Sequence, residues 1–244
     1  MPERRTPGAV EAAPVGDHRR AGTLPAGDGR RSAAASVAGA AGDEHRPATA
    51  SAAASDGEHL EPSATAPAPV AETAAALAAA AAGAATARGD RRVVVLVDGR
   101  SGTGKTTLGA AVADHLGAQV VHLDDVYPGW DGLQAAADAV VRDVLGPPSG
   151  YRRWDWSASA PTDWVPLDAD APIVVEGCGA LSRGSAPLAS LRVWLEADDV
   201  VRRDRAIGRD GEVFAREWDR WAAQEASFIA AEQPAHRADV VLRT

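Results

Sequence analysis

The sequence predicts an α/β fold: a mostly parallel sheet of about five strands between two layers of helices. Three observations predict it. The β-branched run Val93–Val97 leads through Asp98 into a glycine-rich turn, Gly99-Arg100-Ser101-Gly102-Thr103-Gly104-Lys105-Thr106-Thr107, and Leu108–Ala113 then reads as a helix. From there short apolar runs alternate with helical patterns to the C-terminus, and strands that alternate with helices pair in parallel with both faces covered. Acids stand at the ends of three runs, Asp98, Asp124 and Glu176, where such a sheet opens its ligand crevice.

Taken in order, the chain starts with a segment that predicts no core. Through about Pro69 it is mostly Ala, Gly, Pro, Ser, Arg and acid, and no Phe, Trp or Tyr occurs before Tyr127. Such a segment buries too little apolar surface to offset its ordering entropy, so 1–69 reads as a disordered arm. Val70–Ala87 has high helix propensity and carries Glu72, Thr73 and Thr86 near its ends. It predicts a helical lead-in over 70–90, broken by Gly89-Asp90. The folded domain is then 91–244, within the usual single-domain range.

Within that domain, Arg92–Asp98 predicts the first strand, about Lys105–Leu116 the first helix, and Gln119–Leu123 the second strand. Pro128–Gly132 is a turn, Leu133–Leu145 a helix stopped by Gly146-Pro147-Pro148, and Tyr151–Asp170 an irregular aromatic stretch. Ala171–Glu176 and Leu191–Leu195 are buried strands. Asp198 to about Ala206 is helical, Gly208–Gly211 a loop, Glu212–Gln233 a long helix stopped at Pro234, and Asp239–Leu242 the last strand.

The turn has the form Gly-x-x-x-x-Gly-Lys-Thr between strand and helix, which makes the domain a P-loop NTPase three-layer sandwich. Its glycines let backbone N–H groups converge on one anion, and the helix adds its positive dipole end. Lys105 is the only lysine in the chain. A compact ammonium suits a phosphate cradle better than a planar guanidinium does. Thr106 offers a hydroxyl to Mg²⁺.

Composition excludes several classes. The net charge is −9, with −3 up to Asp90 and −6 after it, so neither part has the basic footprint of a nucleic-acid binder. The single cysteine, Cys178, allows no intrachain disulfide and fits a reducing, cytoplasmic compartment. The run Ala74–Ala85 is small-residue rather than strongly apolar and too short to cross a bilayer, and no segment reads as a secretory or transit peptide. The expectation is no membrane and no nucleic acid. The chain also lacks asparagine, so a guanine-reading Asn-Lys-x-Asp element is excluded and ATP is the expected nucleotide.

Asp124 and Asp125 follow the second strand, where either carboxylate suits proton acceptance from a hydroxyl or Mg²⁺ held through water. Glu176 ends an apolar strand, the place of a metal-side acid. Arg202, Arg205 and Arg209 recur at three and four residues, which aims them at roughly one side of a helix that could close over a transferring phosphoryl group. Six of the eleven aromatics (Tyr127, Trp130, Tyr151, Trp154, Trp156 and Trp164) fall within 38 positions after the aspartates. With Asp155 among them, they predict a pocket for a planar substrate. Cys178 reads as a small buried filler and His122 as structural. Trp218 and Trp221 on the long helix are open to two readings, a homo-oligomer contact or packing within the domain.

These elements together resemble the uridine kinase family of P-loop kinases, whose relatives include phosphoribulokinase and pantothenate kinase. Gly99–Thr107 resembles the family's phosphate loop, and Leu123-Asp124-Asp125-Val126-Tyr127 its Asp-x-Phe-Tyr element. Trp154-Asp155-Trp156 is similar to its nucleoside-gripping segment without the following His-Pro. Val175-Glu176-Gly177 resembles its metal-side strand end. Arg202–Asp210 resembles its arginine lid, with Ile207 where the family tends to carry arginine, and Ala238–Leu242 its last strand. The resemblance implies an ATP- and Mg²⁺-dependent kinase of a small-molecule hydroxyl, most closely a nucleoside. It places the catalytic aspartate on Asp124, with Asp125, Tyr127, Trp154, Asp155 and Trp156 on the substrate side. It puts Mg²⁺ on Thr106, Glu176 and Asp124, and transition-state charge on Lys105, Arg202, Arg205 and Arg209. A phosphorylated or pantothenate-like acceptor, for which Arg152 and Arg153 are candidates, and an ATP-binding regulatory protein remain the alternatives.

Overall fold

The structure is a computed structural model and describes residues 68–244. The expectation of a disordered arm therefore lies, except for its last two residues, outside the described residues.

Five parallel strands form the sheet: β1 (Val94–Gly99), β2 (Gln119–His122), β5 (Ile173–Glu176), β6 (Leu191–Glu196) and β7 (Val240–Arg243). Their order is β2-β5-β1-β6-β7, with every neighbouring pair parallel. The fold is thus the P-loop α/β sandwich the sequence predicts. Side-chain alternation splits its core in two. Val95, Val97, Val174 and Val193 face one layer, with helix α2 (Lys105–Leu116) packed on them. Leu96, Ile173 and Val175 face the other, with α3 (Leu133–Ala139) and the later part of α4 (Asp199–Glu232). The connection from β1 to β2 crosses the sheet one way, past β5, and the connection from β5 to β6 crosses it the other way, past β1, so the direction reverses between β5 and β1. This is the switch point at which such sheets bind ligands.

Four elements differ from expectation. The first helix, α1 (Ala68–Arg88), is a layer of the fold rather than a lead-in. Its Ala74, Leu77, Ala78 and Ala81 are buried against α2 and the sheet. Its Pro69–Arg88 stretch is, by length and composition alone, long and apolar enough to cross a membrane. The sequence reading stops short because it counts only the alanine run. Second, the stretch read as irregular contains an antiparallel hairpin, β3 (Gly150–Asp155) with β4 (Ala160–Pro166), bulged between Arg152 and Trp154. Its turn has no Gly, Pro or Asn. Instead Asp155 Oδ1 accepts the Ser157 and Ala158 N–H groups at 2.8 and 2.9 Å, an Asx turn.

Third, there is no loop over Gly208–Gly211. Helix α4 starts on Asp198, whose carboxylate accepts the Val200 N–H, and runs through Arg209 and Asp210. It breaks only at Gly211, where φ is 68° and ψ −157°. That region is essentially closed to residues with a Cβ. Two helices therefore meet end to end there. Fourth, the helix expected over Leu133–Leu145 is α-helical only as far as Ala139 and widens into a π turn over Val140–Val144.

Candidate active site

The phosphate loop wraps the carboxyl end of β1. Gly104 caps α2 in the left-handed conformation without any side-chain bond, so the first-turn N–H groups are the donors on offer. Lys105 is buried; its Nζ donates to the Arg100 carbonyl at 3.0 Å and lies 3.5 Å from Cys178 Sγ. Thr103 Oγ1 donates to the same Arg100 carbonyl at 2.8 Å. Gly102 must be glycine, because a Cβ there would sit 1.9 Å from the Arg202 carbonyl oxygen.

This loop opens on a cavity of about 410 Å³. Gly104, Lys105, Thr106 and Thr107 line one end, with Glu176 and Asp124 beside them. Thr106 Oγ1 donates to Glu176 Oε1 at 3.2 Å, and His122 Nδ1 lies 2.6 Å from the same oxygen. The bond to Glu176 raises the His122 pKa above its ordinary value. Asp124 sits in the 3-10 turn Leu123–Asp125 directly after β2. Asp124 is exposed at the cleft, and the protein packed around its carboxyl, reinforced by the Glu176 charge, raises its pKa above the ordinary range. The far wall is aromatic: Tyr127, Trp130, Trp156, Phe214 and Trp221, with Val213. Trp130 packs on Trp156 at 4.9 Å between ring centroids and stacks on Phe214 at 5.7 Å, while Tyr127 meets Trp221 edge-on at 4.7 Å. Trp156 Nε1 donates to the Asp124 carbonyl at 2.8 Å, and the Tyr127 hydroxyl to the Cys178 carbonyl at 2.9 Å.

Several expected site residues lie elsewhere. The three arginines are not brought together. Arg209 lines the cavity beside Asp210, to which its Nε donates at 2.7 Å. Arg202 is buried behind the loop, with Nε on Asp199 at 2.8 Å and its guanidinium 5.3 Å from the Trp218 ring. Arg205 reaches Thr244 Oγ1 at 3.4 Å. Seven residues separate Arg202 and Arg209 by about 10 Å of helix axis, so a shared face does not give a shared site. Asp155 is spent on its hairpin turn. Trp154 is outside the cavity lining, with an indole N–H that has no partner among the described residues. Asp125 is also outside the lining. Arg152 donates to the Thr162 carbonyl on the exposed hairpin. Trp218 and Trp221 are buried within this chain.

The sequence reading missed Asp210, Val213 and Phe214 as lining and Glu225 altogether. It also gave His122 no part at Glu176 and Cys178 no part beside Lys105. Glu225 had a signal: Phe214, Trp218, Trp221, Glu225 and Phe228 form one buried stripe, with a carboxylate in it.

The oxygen donors fit magnesium. Among the described residues no three His, Cys, Asp or Glu side chains form a metal cage. A hydroxyl and one or two carboxylates next to a phosphate cradle are the usual protein share for Mg²⁺, with phosphate oxygens and water supplying the rest.

No family model and no curated protein matches the sequence. Solved structures do. A provisionally named uridine kinase from Bacillus stearothermophilus aligns over 62% of this chain and 88% of its own, at 20% identity and TM-score 0.44. A provisionally named fructose transport system kinase from Silicibacter sp. TM1040 aligns over 69% and 98%, at 18% identity and TM-score 0.44. An uncharacterized protein from Eubacterium ventriosum aligns over 62% and 88%, at 11% identity and TM-score 0.37. The likeness is distant.

Proposed function

We propose that this chain is an ATP-dependent phosphotransferase acting on a small-molecule hydroxyl, and within that class on a nucleoside such as uridine or cytidine. One observation carries the reading. The phosphate loop and the Asp124 carboxylate line the same cavity, and five aromatic rings, Tyr127, Trp130, Trp156, Phe214 and Trp221, line it as well. A flat base suits rings such as Trp130 and Trp156, and its ribose would then present a hydroxyl toward Asp124.

Lys105 and the loop N–H groups hold the outer phosphates. Asp124 takes the proton of the acceptor hydroxyl as that oxygen bonds the γ-phosphorus and the bond to the β-phosphate oxygen breaks, releasing ADP. Its raised pKa brings it closer to the working range of a base at neutral pH. Arg209 stands at the cavity to offset charge on the transferring group. Thr106, Glu176 and Asp124 would hold Mg²⁺, which supplies charge neutralisation on the phosphates. His122 on Glu176 fixes that carboxylate's orientation.

A phosphorylated acceptor is less well served, since Arg152 and Arg153 lie on the exposed hairpin and Arg209, the arginine lining the cavity, serves the transferring group. The panel that tests the proposal is ATP turnover with nucleosides, nucleoside monophosphates, sugar phosphates and simple alcohols. Stimulation by uridine or cytidine supports it. Stimulation only by the phosphorylated compounds moves the acceptor to the alternative. ATP binding without stimulation by any compound favours a regulatory protein.

A further inference from the structure

We infer that Glu225 is a positioning residue that holds the outer bend of the phosphate loop in its anion-receiving shape before a nucleotide arrives. The inference rests on the reading of this loop as an ATP site. Glu225 lies in the second half of α4, and its side chain is only 2% exposed. Its Oε1 accepts both the Ser101 N–H and the Ser101 hydroxyl at 2.7 Å. Its Oε2 accepts Arg100 Nε at 3.2 Å and lies 3.8 Å from Arg202 Nη1. A carboxylate this deep is tolerated only when paired and hydrogen-bonded, and here two guanidinium groups and two loop donors meet it.

The same bend is gripped from the first half of α4. The Arg202 backbone is pressed against Gly102, and Arg202 Nη1 lies 3.4 Å from the Ser101 carbonyl. Arg100 Nη1 donates to Asp199 at 3.0 Å. Residues 100–102 are therefore tied to both sides of the Gly211 break. Fixing Ser101 this way supports the left-handed turns that follow, φ 82° at Gly102 and 87° at Gly104. Without the tie, the entropy of ordering the bend would be charged against ATP binding.

Glu225→Gln tests this. The amide keeps one oxygen for Ser101 but turns an NH₂ toward Arg100 and Arg202. Direct titration with Mg-ATP is expected to show affinity weakened about tenfold or more. In turnover the loss should fall on the KM for ATP rather than on kcat. Hydrogen exchange over 99–104, measured without ATP, should be slow in wild type relative to the exposed turn 157–159, and fast in the variant. Equal ATP affinity in the folded variant, or fast exchange of the wild-type loop, overturns the inference. If the variant does not fold, the wild-type exchange decides it. A wild type that binds no ATP overturns the nucleotide reading instead, while slow exchange that Glu225→Gln abolishes would still establish the tie.

Discussion

Asp98, which the sequence placed at the crevice, lies outside the cavity lining and shows how one buried side chain fastens the carboxyl edge of the sheet. It is 1% exposed and accepts the Gly99 and Gly179 N–H groups on Oδ1 at 2.6 and 3.1 Å, and the Leu181 N–H on Oδ2 at 2.8 Å. It thereby fastens the end of β1 to the segment after β5. Burial pushes its carboxyl up to about 7 against those donors. Asp98→Asn keeps Oδ1 but sets an NH₂ against the Leu181 N–H. The expected loss is about 1–3 kcal/mol of stability, read by urea unfolding; an unchanged midpoint would contradict this role. The sequence made Asp98, Asp124 and Glu176 legible because each ends a β-branched run. Glu225 and His122 were not read as site residues. Their contacts cross 124 and 54 positions of sequence, a distance no local period reports.

At the scale of elements, α4 and β7 carry the sharpest expectations. Gly211→Ala forces a Cβ into a backbone region closed to it and should cost about 1–3 kcal/mol. It should also disturb Phe214 and Trp218 just beyond, which near-ultraviolet circular dichroism would register. Strand β7 is held to β6 partly by Asp239, which accepts the Arg192 backbone N–H at 2.9 Å and Arg192 Nε at 3.0 Å. That bonding keeps its carboxyl below the ordinary 3.8. Near and below that value the unfolded chain is protonated while the folded one is still ionised, so unfolding takes up a proton and gains as pH falls. The contribution is complete above the ordinary carboxylate range and lost below it. Asp239→Asn should therefore reduce stability by at most about 1 kcal/mol at neutral pH and flatten the acid limb of the stability curve. A wild-type acid limb would contradict it. The five sheet strands were legible to within two residues at most ends, as was α2. The β3–β4 hairpin was not, since its turn is made by an aspartate rather than by glycine or asparagine. The Gly208–Gly211 loop was misplaced because Gly208 is accommodated inside the helix.

For the whole molecule, the account requires the part from α1 onward to be sufficient. Removing residues 1–67 should leave acceptor-stimulated turnover within about twofold. A loss of turnover, or the loss of a bound partner with no turnover to begin with, would favour the regulatory reading. The cut belongs before α1 because Leu77 and Ala81 pack under the sheet. The phosphate loop was legible because it is a contiguous motif with a single lysine. The aromatic wall of the cavity was legible in Tyr127, Trp130 and Trp156 but not in Phe214 and Trp221, which reach it from a distant helix.

The most direct test is transfer of the γ-phosphoryl group of Mg-ATP to a nucleoside by wild type and by Asp124→Asn. The account predicts transfer by wild type, a loss of roughly 10²-fold or more in kcat for the variant, and retained ATP binding in both. An Asp124→Asn protein that transfers phosphate at the wild-type rate, or a wild type that binds ATP and transfers it to nothing, would contradict the account.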